Sequence, residues 1–313
     1  MKKELHVIFG TGPLGRSVMN ELLARNKIVR MVHRTGEANV PPNVEVTSAN
    51  VFDFEDAKKA AEGASFVYQC VNAPYDKWEE QFPPMQKNIL EAAASAGAKC
   101  IIGENVYMYG DTNGKPITED LPYAALTRKG KVRAQMAIKA MQMHNDGKLQ
   151  ITIARASDFF GPHVRYSAMG ERAIGFAVQG KTASLVGNID LPHTFTYIKD
   201  FGKALVTLAE NEDAFGEVWH VPNPETISQR EFMNLVFQEL QAPPKMSAMG
   251  STMLRVGGLF IPAARETVEM MYEYNKPFVV DSSKFEKRFG WKATPLKEAI
   301  KETVQWFKLH YNV

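Results

Sequence analysis

The chain has 313 residues, 45% of them hydrophobic, enough apolar material for one large or two modest cores. Its formal net charge is +2, with Lys and Arg scattered along the sequence, a balance that argues against nucleic acid or an anionic membrane as the main partner, since both favour a clustered basic face. The first apolar stretch stops at Gly10, too short for a signal peptide, and no run approaches the ~20 residues of a membrane span; the expected location is the cytoplasm. Cys70 and Cys100 each sit in a short apolar run and are expected as buried reduced thiols.

In chain order, Leu5 to Phe9 is an apolar strand that runs into glycines, and Leu14, Val18 and Leu22 follow at helical spacing. Lys27 to His33 reads as a second strand and Val44 to Val46 as a third. Asp53 caps a helix with Asp56 in the position of a capping box, and Gly63 ends it. Ser65 to Val71 is a buried-type strand. Pro83-Pro84 opens the next helix, which runs to Gly97; Lys99 to Ile102 and Gln150 to Ala154 are further strands, separated by a helical stretch from Lys131 to Met143. Strands alternating with helices predict an α/β fold with a doubly wound parallel sheet and right-handed crossovers. Beyond Gly161-Pro162 the alternation loosens, with Glu217 to Val221 and Gln229 to Leu240 as isolated strand and helix candidates. The expected division is residues 1–160 as a dinucleotide-binding Rossmann domain and 161–313 as a smaller substrate-binding region that returns segments to the main sheet.

Gly10-Thr11-Gly12-Pro13-Leu14-Gly15 carries the chemistry. It follows a strand and opens a helix, the context in which G-x-G-x-x-G marks a dinucleotide site rather than a plain βα turn. The first glycine permits the turn, the second lets backbone approach a pyrophosphate, and the third lets helix and strand pack closely. An NAD binder usually has Asp or Glu at the end of the second strand; here His33-Arg34 stands there instead. A guanidinium pairs with a 2′-phosphate that a carboxylate would repel, so NADP(H) is favoured over NAD(H), with NAD held through backbone contacts as the alternative.

The sequence resembles the short-chain dehydrogenase/reductase superfamily, in its extended NAD-dependent epimerase/dehydratase branch. The resemblance is carried by the glycine turn, Asn88 to Gly97, Val106 to Gly110 (VYMYG), Ile117 to Asp120 (ITED), Arg155 to Pro162 (RASDFFGP), and Val280 to Trp291 with Pro295-Leu296 and Trp306. It implies further cofactor contacts at Asn50, Val51, Val71, Asn72 and Ala73. The family's Ser or Thr, Tyr and Lys fall by position on Asn105, Thr127 and Lys131, and a shift of two residues brings in Lys129 and Arg133 without restoring a tyrosine. The usual phenol is missing. Asn105 is then the candidate donor to a substrate oxygen, Lys131 the ligand of the nicotinamide ribose, and Tyr107 either a displaced general acid, which shares a face with Asn105 if it lies on a strand, or a core aromatic. Asp158 stands where the family has an Asn near substrate, and is expected to orient substrate or Arg155 or to form a structural ion pair; His163 follows at the expected mouth of the site. Met270, Met271, Tyr272 and Tyr274 suggest an apolar pocket or a core helix. No residue pattern suggests a metal.

The function implied is an NAD(P)-dependent oxidoreductase or epimerase/dehydratase-like enzyme acting on a small carbonyl, alcohol or sugar-type molecule. The alternative is a non-catalytic NADP(H)-binding sensor; an RNA-binding role is disfavoured by the charge. By family analogy a homodimer is possible, and neither nucleic acid nor membrane is an expected partner.

Overall fold

The computed structural model describes residues 4–250, 266 and 268–313. Strands β1 (Leu5–Phe9), β2 (Ile28–His33), β3 (Glu45–Ser48), β4 (Phe66–Gln69), β5 (Lys99–Glu104) and β6 (Ile151–Arg155) alternate with helices α1 (Pro13–Ala24), α2 (Phe54–Ala61), α3 (Trp78–Ser95) and α4 (Arg128–Asn145). Then follow β7 (Asp158–Phe160), α5 (Phe176–Val178), β8 (Ala183–Val186), β9 (Pro192–His193), β10 (Phe195–Tyr197), α6 (Ile198–Ala209), β11 (Val218–His220), β12 (Ile227–Ser228), α7 (Gln229–Glu239) and β13 (Met246–Met249). Helices α8 (Tyr272–Asn275), α9 (Ser283–Phe289) and α10 (Leu296–Tyr311) complete the described chain.

Seven strands form one sheet in the order β11-β6-β5-β4-β1-β2-β3, and β3, β2, β1, β4, β5 and β6 pair in parallel with their neighbours. This is the doubly wound α/β arrangement, whose strand order reverses between β1 and β4 and places ligands beyond the carboxyl ends of the strands there. The strands are near-continuous apolar runs because helices cover both faces of a parallel sheet: Val7, Ile8, Phe9, Val67, Ile101, Ile102, Ile151 and Ile153 are buried.

By contacts the chain forms two compact units. The first comprises Met1–Met108, Arg128–Arg155 and Phe201–Trp219; the second comprises Tyr109–Thr127, Ala156–Asp200 and His220–Val313. In the second unit β10 pairs with β7, β12 with β9 and β13 with β8. The ITED segment is tied in there: Ile117 bridges Val280, and Glu119 accepts the His220 backbone N–H at 2.8 Å.

Two local expectations differ from the structure. Asp53 does cap α2, accepting the Asp56 N–H at 3.1 Å, but the Asp56 carboxylate accepts the Asn50 N–H instead of closing a capping box on Asp53. Helix α3 begins at Trp78 and not at Pro83-Pro84, which lie inside it. The Trp78 indole N–H donates to the Ala73 carbonyl and the ring packs on Phe82, so tertiary contacts start the helix one turn ahead of the prolines. Cys70 and Cys100 are free thiols, and burial pushes both well above the usual thiol range. Among the described residues no helix is long and apolar enough to cross a membrane.

Candidate active site

The three glycines of the first turn serve three different ends. Gly10 has φ +112°, and a Cβ there would lie 2.7 Å from the Cys70 carbonyl oxygen, against the start of the segment after β4. A Cβ on Gly15 would lie 2.0 Å from the Gly10 carbonyl oxygen, so that position seats α1 on the turn. A Cβ on Gly12 would meet nothing within 4 Å. Packing therefore explains Gly10 and Gly15 but not Gly12, whose bare backbone faces open space. Gly12 is also the N-cap of α1, with Pro13 at its first position and no side-chain cap. The first-turn amides are left to an external acceptor, and with the helix dipole they suit a phosphate. Thr11 and Leu14 flank this opening, and Leu14 closes against β5: a Cβ on Gly103 would stand 2.5 Å from its methyl carbon.

At the end of β2 the His33 ring, through Nδ1, bonds the Thr35 hydroxyl at 2.9 Å and accepts the Thr35 N–H at 3.3 Å. The Ser48 hydroxyl donates to the Arg34 carbonyl at 3.0 Å. These bonds fix the turn, while the Arg34 guanidinium is exposed and makes no hydrogen bond or ion pair among the described residues. Beside this turn, Arg16 of α1 donates to the Asn39 carbonyl at 2.7 Å. Asn50 lies past β3, where its side chain accepts the Phe52 N–H at 3.2 Å; the Val51 carbonyl accepts from the buried Asn88 amide at 3.0 Å. Val71 and Asn72 follow β4 and lead into the buried Ala73. The cofactor candidates of the first unit thus gather at the carboxyl edge of β1 to β4.

Past β5, the Asn105 side-chain oxygen accepts the Tyr107 N–H at 3.2 Å and starts the 3₁₀ turn Tyr107–Tyr109. Asn105 and Tyr107 are therefore not on a strand, and the shared-face argument fails. A side-chain turn joins them instead, leaving the Asn105 amide N–H₂ to donate. The Tyr107 ring packs 5.8 Å from Trp78, in a cluster with Ala73, Phe82, Met85, Val132 and Met136.

Helix α4 presents a different lysine from the one expected. Lys131 is on its exposed face, whereas Lys129 is 3% exposed and Arg133 5% exposed. Two residues along a helix turn the side chain through about 200°, so 129 and 133 share the inward face and 131 opposes it. Lys129 Nζ lies 4.4 Å from the Tyr75 ring centroid, and the Arg133 guanidinium lies over Phe82 and Trp78 at 4.1 and 4.6 Å. Thr127 immediately precedes α4; four residues before Lys129 stands Ala125, so neither register offers a phenol. At the ends of β5 and β6, the buried Glu104 carboxylate accepts from Arg155 Nε at 2.9 Å. Lys129, Arg133, Glu104 and Gly103 were not singled out as site residues from sequence. The inward spacing of Lys129, Val132, Arg133, Met136 and Ala140 was the signal for the first two.

In the second unit Asp158 has partners, but Arg155 is not among those seen. Its Oδ2 accepts the Tyr274 hydroxyl at 2.7 Å and pairs with His193 Nε2 at 3.0 Å. His193 is buried, stacked on Tyr274 and packed by Phe195 and Phe278. His163, at φ +67°, packs instead on Trp306 at 4.9 Å. Tyr274 and Met271 form a small apolar cluster with Ala168, Val186, Met249 and Val268, on the short helix α8 and its flank.

Glu273, next to Tyr274, is held well above the ordinary carboxyl range, first by burial and then by the Asp158 charge, against a smaller opposing pull from Tyr272. A carboxyl raised in the folded state contributes most below its unfolded value of 4.5, and that contribution is lost as pH rises toward the folded value. Glu273→Gln is therefore expected to unfold at a progressively higher temperature than the parent as the pH is taken from 5 to 8. Parallel melting curves across that range would expose the error if the two proteins kept a constant gap.

A model of the NAD dependent epimerase/dehydratase family matches residues 7–221. The chain is 27% identical over 255 residues to a sterol-4-alpha-carboxylate 3-dehydrogenase (decarboxylating) of Bos taurus, spanning 76% of this chain and 70% of that protein. It is 23% identical over 334 residues to a UDP-N-acetyl-alpha-D-glucosaminuronate decarboxylase of Bacillus cytotoxicus, spanning 98% of each. Among solved structures, dTDP-glucose 4,6-dehydratase of Bacillus anthracis in complex with NAD superposes with a TM-score of 0.81 at 13% identity, over 99% of this chain and 98% of that one.

Proposed function

The chain belongs to the NAD dependent epimerase/dehydratase family, and from that premise we propose that it is an NADP(H)-dependent oxidoreductase or epimerase/dehydratase-like enzyme acting on a small alcohol, carbonyl or sugar-type substrate. The observation that carries this reading is Gly12: it is bare where packing does not require it, at the head of a helix whose amides have no side-chain cap. That is the cradle a pyrophosphate fills and a Cβ would obstruct. Arg34, exposed on a turn anchored to β3, is assigned to the 2′-phosphate of the adenosine ribose.

When bound, the nicotinamide accepts or supplies the hydride. Around it, the Asn105 amide donates to the substrate oxygen, Tyr107 moves the proton, and Lys129 takes the ribose role first expected of Lys131, which faces outward. The missing phenol at Ala125 or Thr127 favours a second reading, a dinucleotide-binding protein without turnover. Turnover distinguishes the two: Tyr107→Phe and Asn105→Ala should each slow a substrate-dependent change in NADPH absorbance while leaving NADPH affinity intact.

Calorimetry with NADPH and NADH tests the cofactor. NADPH should bind tighter, and Arg34→Ala should weaken it about 10- to 100-fold, the loss of a charge-assisted pair, while barely affecting NADH. Uptake of neither dinucleotide by the parent protein would overturn the proposal.

A further inference from the structure

We infer that Arg133 is the receptor for a carboxylate on the substrate, so that the molecules this chain takes are hydroxy or oxo acids rather than neutral alcohols. The inference rests on the reading that the carboxyl edge of the sheet is the reaction centre.

Arg133 is 5% exposed, and its Nε and Nη1 are sealed from solvent with no hydrogen-bond partner. Lying over Phe82 and Trp78 relieves part of the cost of burying the charge, but it leaves the N–H groups in the guanidinium plane unanswered. Buried donors in native proteins are almost always paired, and an orphan of this kind calls for an acceptor from outside the chain. The acid whose charge reaches Arg133 is Glu104, and Glu104 already binds Arg155. The carboxylate nearest in charge to Arg133 is thus already engaged by another guanidinium. Consistently, burial pushes the Arg133 guanidinium down to about 10 against the pull of Glu104 and Tyr107, and Arg155 pushes the same way.

A second anion would balance this group. Trp78 and Phe82, set edge to face at 73°, wall the guanidinium on two sides, and a carboxylate can pair with its fork of N–H groups in bidentate fashion. In the proposed cofactor path the pyrophosphate goes to the head of α1 and the ribose to Lys129, one turn earlier on α4, which leaves Arg133 for the substrate. Because both donors are sealed, the ligand enters by moving a cover, and Val51, Val71, Tyr75 and Tyr107 are the partly buried residues packed on this cluster.

The test uses the full chain saturated with NADPH, titrated with acetate, malonate, 3-hydroxybutyrate and glucuronate, each beside a neutral counterpart: acetamide, malonamide, butane-1,3-diol and glucose. At least one acid should bind about tenfold tighter than its counterpart and shift a single arginine Nε–H resonance in the ¹⁵N spectrum, one that is missing from Arg133→Lys. Arg133→Lys and Arg133→Met should both lose the preference and keep their NADPH affinity. Equal binding of acids and neutral partners, no binding of any acid, or a shift at another arginine would overturn the inference while leaving the dinucleotide reading standing. So would loss of NADPH affinity in both Arg133 variants, which would assign the guanidinium to the cofactor. Failure of the parent to bind NADPH would instead remove the reading beneath it. Should Arg133→Met fail to fold, Arg133→Lys and the parent spectrum still decide.

Discussion

Gly12→Ala should leave the unfolding temperature nearly unchanged and abolish dinucleotide binding, whereas Gly15→Ala should lower both. At Gly12 the backbone is at φ −71°, which alanine adopts without strain, and the added methyl meets no protein atom within 4 Å. Stability should therefore stay within about 0.5 kcal/mol of the parent, or rise slightly as the unfolded chain loses freedom. The methyl would occupy the space through which a pyrophosphate reaches the amides of α1, and affinity for NADPH should fall by about 100-fold or more, some 2.7 kcal/mol. At Gly15 the methyl would stand 2.0 Å from a backbone oxygen of Gly10, which no rotamer change can relieve. The turn must shift, at about 1–3 kcal/mol of stability, and the amide cradle shifts with it. Thermal melts and calorimetry on the two variants check this. Parent-like NADPH affinity in a folded Gly12→Ala would mean that the open glycine is not where the cofactor lies.

The contrast between those glycines also shows what the sequence could and could not reveal. Strand, turn and helix around residues 5–24 were legible because each signal is local: an apolar run, glycines at fixed spacing, then period 3.6. The alternation of β1 to β6 with α1 to α4 was legible for the same reason. Where a distant contact decides, local signals misled. Pro83-Pro84 looks like a helix start, but the Trp78 indole bonded to Ala73 starts α3 earlier. A shared face for Asn105 and Tyr107 depended on the strand running that far, but the Asn105 side chain turns the chain first. The choice between Lys131 and Lys129 followed motif position, although the apolar spacing of Val132, Met136 and Ala140 already marked the inward face of α4. The partners of Asp158 lie 35 and 116 residues away, and nothing local in RASDFFGP points to them.

The pairing of Glu104 with Arg155 belongs to the same class, since the two residues meet because β5 and β6 align them in register. Glu104→Gln is expected to be the most destabilising isosteric change in the first unit. The side chains of Glu104 and Arg155 are 1% and 0% exposed, so no water replaces the lost charge. Removing one partner of a buried pair leaves an uncompensated ion and typically costs about 3–5 kcal/mol. Arg133 adds to the penalty, because its positive charge is then no longer offset by Glu104. Adding Arg133→Met to Glu104→Gln should therefore return part of the loss, so that the double variant is more stable than the sum of the singles. The exposed pair Lys87–Glu91 serves as the control: with side chains 66% and 38% exposed, Lys87→Ala should move stability by no more than about 0.5 kcal/mol. Urea denaturation of the four variants and the parent reads these differences as midpoint shifts at constant slope. A Glu104→Gln protein within about 1 kcal/mol of the parent would mean that other groups already balance both guanidinium ions. In that case the charge argument for a substrate carboxylate on Arg133 would lose its footing as well.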